Sequence, residues 1–229
     1  MGKEYIRQVD ARLCQMPADN VLVLEDFVTI VNWLSSGTGS DYAVTRDTST
    51  YMKSSIGIAS PGSLKIVTRT TTPAQYDICN AFFTGPMGQG QKLILSGRFR
   101  SDSIDGDGAA VRVSCNISNG TNVYQPGFTI YPNAHVIKYR SGPNSYSDVL
   151  RNYEGFVADV WYSFSLAFNI STGKYISLFI GGREFDLSHL SFSFNADPAS
   201  YSTIVLSALT ESAFKDGAHY DLITLVESI

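Results

Sequence analysis

Long apolar runs are missing from this chain of 229 residues. Nothing approaches the roughly 18 residues that a membrane-spanning helix needs, so membrane insertion by a helix is excluded. Cysteine is scarce: Cys14, Cys79 and Cys115 are odd in number and widely spaced. They make no disulfide framework, and no Cys/His cluster has zinc-binding spacing. Blocks of like charge are absent too. The formal net charge is −4 and the isoelectric point about 5.3. With no basic tail, general nucleic-acid binding is not expected. The first twenty residues lack the apolar segment of a secretory signal, which reads as cytoplasmic unless the chain was trimmed or leaves by another route.

What is present is aromatic and glycine-rich. Thirteen Tyr, thirteen Phe and 19 Gly suit sheets and turns better than helices. The stretch Trp161 to Leu187 alternates apolar and polar residues with period two, broken at Ser171-Thr172-Gly173 and again at Gly181-Gly182. That pattern predicts a β-hairpin with one buried face, Tyr162, Phe164, Leu166, Phe168 and Ile170 lying opposite Ser163, Ser165, Ala167 and Asn169. Similar segments recur from Val21 to Val226, separated by turn clusters such as Ser35-Ser36-Gly37 and Ser141-Gly142-Pro143-Asn144. Residues 1–20 read as an arm, with a short helix over 10–16, and residues 147–153 as a brief helical excursion. From residue 21 to 229 the chain reads as a single β domain. So many antiparallel strands must close into a barrel or pack as two sheets, and the alternation favours two sheets.

Four segments carry a resemblance. Val23-Leu24-Glu25-Asp26-Phe27, Pro61-Gly62-Ser63-Leu64-Lys65-Ile66, the hairpin Trp161–Leu187 and Tyr220-Asp221-Leu222-Ile223-Thr224-Leu225 follow in the order and spacing of known strands. Together they resemble the concanavalin A-like lectin/glucanase superfamily in its laminin-G-like jelly-roll form. The resemblance implies an all-β, antiparallel two-sheet jelly-roll sandwich that commonly binds glycans. It does not by itself imply catalysis.

The chemistry-bearing residues leave several readings open. The glucanase branch needs Glu-x-Asp-x-x-Glu on one strand, and no such run occurs. Jelly-roll polysaccharide lyases need a cation to neutralise a uronate and a His and Tyr for proton transfer. His135, Tyr139, Arg140 and Tyr146 are grouped as such a set would be, although their spacing departs from the lyase pattern and its companion motifs are missing. Without catalysis, Arg98, Arg100, Arg112, Lys138 and Arg140 share polar-face parity on three strands. With Tyr139 and Tyr146 (and Tyr131 nearby) they would form a cationic surface for a carbohydrate, an acidic one above all, if the three strands lie in one sheet. The resemblance also implies a structural calcium near the first and last strands, held by Glu25, Asp26, Asp47 and Asp221; no cofactor is required. The leading expectation is therefore a non-catalytic, lectin-like domain. The alternatives are a uronate lyase, or a structural, adhesion or phage-type surface protein that forms homo-oligomers through its N-terminal arm.

Overall fold

The computed structural model describes residues 21–227 apart from 26, 28–29, 31, 39–40, 50–61, 69–76, 86–90, 103–108, 133, 144, 152–154, 197–201 and 211–216. Among the described residues there is no helix, and the regular elements are strands. In chain order they are β1 (Val21–Glu25), β2 (Trp33–Gly37), β3 (Ala43–Asp47), β4 (Ser63–Val67), β5 (Ile78–Gly85) and β6 (Lys92–Ser101). Then come β7 (Ala109–Ser118), β8 (Asn122–Tyr124), β9 (Gly127–Tyr131), β10 (Val136–Gly142), β11 (Ser145–Leu150) and β12 (Tyr162–Asn169). The last are β13 (Lys174–Ile180), β14 (Arg183–Asp186), β15 (Phe194–Ala196), β16 (Ser202–Thr210) and β17 (Gly217–Glu227).

Two antiparallel sheets pack face to face as a sandwich. The first runs β14-β13-β12-β6-β17-β4-β3, with β1 also on β17. The second runs β11-β10-β9-β7-β16-β5-β2, with the β8–β15 ribbon beside β7. Strands adjacent in sequence repeatedly change sheet, as β6 and β7 do, which is how a long antiparallel chain covers both faces of one core.

The 162–180 hairpin forms as its alternation demands. Phe164, Leu166, Phe168 and Ile170 are buried, while Ser163, Ser165, Ala167 and Asn169 are half-exposed. Phe164 of the first sheet meets Phe128 of the second edge-on, with ring centroids 5.4 Å apart. Room for that ring comes from Gly97 on β6. A Cβ there would lie 2.5 Å from Ile223 Cδ1 and 2.9 Å from Phe164 Cζ. Gly97→Ala is expected to cost about 1–3 kcal/mol by overpacking, read as a lower urea midpoint. An unchanged midpoint would mean that Ile223 swings aside at no cost.

Three local expectations need correcting or placing. The helical excursion expected over 147–153 is a strand where it is described: Ser145–Leu150 pairs with β10 from Ile137 to Gly142, and 152–153 lie outside the described residues. Ser35 to Gly37 is not a turn but the end of β2, with Ser36 opposite Asn80 and Gly37 opposite Cys79. The arm at 1–20, with its helix over 10–16, lies outside the described residues.

Candidate functional site

The strand register sets a row of side chains across the outward face of the second sheet. Lys138 on β10 stands opposite Asp148 on β11 and Thr129 on β9. Thr129 stands opposite Arg112 on β7, Arg112 opposite Ser207 on β16, and Ser207 opposite Asn80 on β5. Each faces away from the core because its chain neighbours, such as Val111, Val113, Ile130 and Ile137, are buried. A second row includes Tyr146, Arg140, Ser114, Val205 and Phe82. Between these rows lies a cleft of about 540 Å³, within the size range of ligand sites.

The cationic end of the cleft is organised around Tyr146. The Arg112 guanidinium lies 4.6 Å from that ring's centroid, close enough for a cation–π attraction. Its Nε donates to Thr129 Oγ1 at 3.3 Å. Arg140 stands opposite Tyr146 in register. It donates through Nη2 to the Pro143 carbonyl at 2.5 Å and through Nε to the Gly142 carbonyl at 3.4 Å. Among the described residues neither arginine pairs with a carboxylate, and no carboxylate lines the cleft. Burial lowers the Arg140 pKa from its usual value; Tyr146 counters that and neighbouring Arg112 adds to it. A guanidinium in that position gains from an incoming anion. Lys138 differs: its Nζ is 3.9 Å from Asp148 and 5.0 Å from the Tyr131 ring, so its charge is already answered.

Two tyrosines from the first sheet hold the backbone beneath these arginines. The Tyr175 hydroxyl is 2.8 Å from the Arg140 carbonyl and 3.1 Å from that of Gly127, and accepts the Gly127 N–H at 3.1 Å. The Tyr220 hydroxyl is 2.6 Å from the Ser207 carbonyl and 3.1 Å from the Arg112 carbonyl. Burial pushes both phenols' pKa values up, so both stay neutral. Gly127 itself must lack a side chain, since a Cβ would fall 2.5 Å from Ser114 Cβ.

The five cations expected on one surface divide between two. β6 belongs to the first sheet, so Arg98 and Arg100 do not join the cleft. Arg98 is buried and stands opposite buried Asp221 on β17. Arg100 ion-pairs with Asp159 and lies 3.9 Å from Asp102. Tyr139 has the parity of buried Ile137 and packs inward, edge-on to Tyr175 with centroids 5.6 Å apart. His135 is exposed in the β9–β10 turn at φ 53°. Of the four residues grouped for lyase chemistry, only Arg140 and Tyr146 line the cleft.

The calcium expectation rests on four residues, of which Asp26 and the Glu25 side chain lie outside the described ones. Asp47 Oδ1 accepts from the Ser49 N–H and hydroxyl at 2.8 and 2.6 Å. Asp221 Oδ1 accepts from the Leu222 N–H at 2.8 Å, beside Arg98 in register. Asp47 thus caps a turn, and Asp221 stands across from Arg98 in register. Among the described residues no three His, Cys, Asp or Glu gather at metal-binding spacing.

On the first sheet's outward side, His219 is buried between Lys65 on β4 and Arg100 on β6, both opposite it in register. Its Nε2 is 3.0 Å from Asp102 Oδ1; its Nδ1 is 3.3 Å from Ser63 Oγ and 3.7 Å from Asp47 Oδ2. Asp102 also lies 3.6 Å from Lys65 Nζ, so one carboxylate serves three neighbours.

No protein-family model matches the sequence, and no curated protein matches it. Solved structures do match. The chain is similar to the carbohydrate recognition domain of Emp47p, with a TM-score of 0.54 and 8% identity, over 93% of this chain and 100% of that one. The fold is lectin-like. It is also similar to the binding domain of botulinum neurotoxin DC solved with rat synaptotagmin II (TM-score 0.53, 11% identity, 92% of this chain). A third match is botulinum neurotoxin type C, whose cell entry depends on interaction with two ganglioside molecules (TM-score 0.52, 12% identity, 92% of this chain). The lectin-like sandwich spans about half the length of the two neurotoxin chains, 48% of each. At these identities the likeness is one of fold.

The second half of the cleft was not among the expected site residues. Ser36, Asn80, Phe82, Gln125, Val205 and Ser207 line it. β5 did carry a signal, because Ile78, Asn80 and Phe82 alternate with Cys79, Ala81 and Phe83. With apolar residues on both of its faces, alternation alone does not say which one looks outward.

Proposed function

We propose that this domain is a non-catalytic carbohydrate-binding module that takes an acidic glycan in the cleft of the second sheet. One observation carries the reading: Arg112 and Arg140 flank Tyr146 in a concavity that no carboxylate lines among the described residues. Guanidinium groups recognise carboxylates through paired N–H donors, and a tyrosine ring offers a flat surface to a sugar. The serines, Asn80, Asn116 and Gln125 around them supply the donors and acceptors that hydroxyl groups require. The lectin-like fold supports the same reading.

The test is a panel of neutral, uronate-containing and sialylated oligosaccharides, followed by titration calorimetry on those that bind. Acidic members are expected to bind at sub-millimolar concentration, with affinity that falls as salt screens the arginines. Neutral members alone binding, or salt-independent affinity, would overturn the acidic assignment. No binding to any member would remove the carbohydrate reading altogether.

A further inference from the structure

The two arginines of the cleft have part of their donors engaged by the protein itself. Arg140 uses Nε and Nη2 together on the carbonyls of Gly142 and Pro143, at the β10–β11 turn. Those two nitrogens form the side-on edge of a guanidinium, one of the edges along which a carboxylate forks. Arg112 spends the Nε of the same edge on Thr129 Oγ1. Neither makes a further hydrogen bond or ion pair among the described residues. Each therefore keeps its end edge, Nη1 with Nη2, for a ligand. Two more donors line the cleft. The Tyr146 hydroxyl has no hydrogen-bond partner among the described residues, and Gln125, which accepts from Ser193 Oγ through Oε1 at 3.3 Å, keeps its amide N–H groups.

Charge sets a second requirement. Arg112 and Arg140 place two positive charges beside one ring, and no carboxylate lines the cleft among the described residues. Burial first, and the Arg112 charge after it, work against the Arg140 cation. A lone carboxylate brings one charge and two oxygens, enough for one guanidinium edge. A single group that answers both edges needs more of each.

We infer that the acid group seated there is a phosphomonoester, so that the ligand is a phosphorylated glycan. This rests on the acidic-glycan reading and names the acid. A phosphomonoester carries about −1.5 to −2 charges near pH 7 and three strong acceptor oxygens in a tetrahedral arrangement. Those oxygens take the end edges of both guanidiniums and leave an acceptor for the Tyr146 hydroxyl. A sulfate ester matches the shape with only one charge. Two uronates match the charge but spread it over neighbouring sugars.

The experiment compares glucose 6-phosphate, glucose 6-sulfate and glucuronate, three sugars that differ in the group at C6, by calorimetry at one ionic strength. At about pH 7.5 the phosphate is expected to bind roughly tenfold tighter than glucuronate, from the added hydrogen bonds to a charged group. As pH falls to about 5, through the second phosphate ionisation near 6, its affinity should drop about fivefold while the other two keep theirs. The titratable groups lining the cleft are Arg112, Arg140, Tyr131 and Tyr146, with no histidine or carboxylate among the described residues. That slope therefore belongs to the ligand. Arg112→Gln should reduce it to within about twofold, with thermal midpoints confirming an intact fold. Glucuronate binding as tightly or tighter overturns the phosphomonoester and leaves the acidic-glycan reading standing, as does a phosphate affinity that ignores pH. A slope untouched by Arg112→Gln overturns the seating between the two guanidiniums. Glucose 6-phosphate that fails to bind up to about 10 mM overturns the inference, and if the wider panel fails as well, both readings fall together.

Discussion

Asp102→Asn is expected to lower stability by about 2 kcal/mol at pH 7, the discounted cost of breaking a partly exposed buried-charge cluster. The substitution leaves Lys65, His219 and Arg100 abreast on three neighbouring strands without the carboxylate that now answers all of them. The pH dependence gives the sharper check. Burial alone would raise the Asp102 pKa. The hydrogen bond and charge of His219, then Lys65 and Arg100, outweigh that and hold it below its usual value. A carboxyl depressed in this way stabilises the fold above its unfolded pKa of about 3.9 and loses that contribution as pH falls through the lower folded value. Asp47, Asp159 and Ser63 complete the surroundings and stay in place in the variant. Urea unfolding from pH 7 to pH 3 should therefore show the gap between wild type and Asp102→Asn narrowing below about pH 4. A gap constant over that range would show that the carboxylate's charge contributes nothing.

The second large effect concerns ligand affinity. Arg112→Gln and Arg140→Gln should each weaken an acidic glycan by roughly tenfold or more, since a hydrogen bond to a charged group is worth about 1.5–3 kcal/mol. The double variant should lose on the order of a hundredfold. Lys138→Gln is the internal contrast, because Asp148 and Tyr131 already engage that ammonium; its loss should stay within about threefold. Equal losses for Lys138 and the arginines would point to a diffuse field rather than a seated anion.

The architecture was legible because antiparallel strands with one wet face write their orientation into every second residue, as residues 162–170 do. β2 was hidden by Ser35-Ser36-Gly37, three turn-forming residues that β5 holds extended through pairing invisible in a linear reading. The site was half legible for a related reason. Parity tells which residues of a strand share a side, and it grouped Arg112 with Ser114 and Asn116 correctly. It does not tell which sheet a strand joins. β6 and β7 are consecutive in the chain yet sit in opposite layers, which separated Arg98 and Arg100 from the remaining cations. Tyr139 was a different kind of miss. Its own parity with Ile137 already placed it inward, but closeness in sequence to Lys138 and Arg140 suggested a shared surface.

The Tyr175 and Tyr220 hydroxyls cross from one layer to grip main-chain carbonyls of the other directly beneath the two arginines. Shear between the layers would break those bonds, leaving carbonyls stranded in a dry interior at about 1–3 kcal/mol each. The bed under the guanidiniums is thus braced before any guest arrives. A ligand seated there would meet a surface already in place, and little of its association energy would go into ordering the protein.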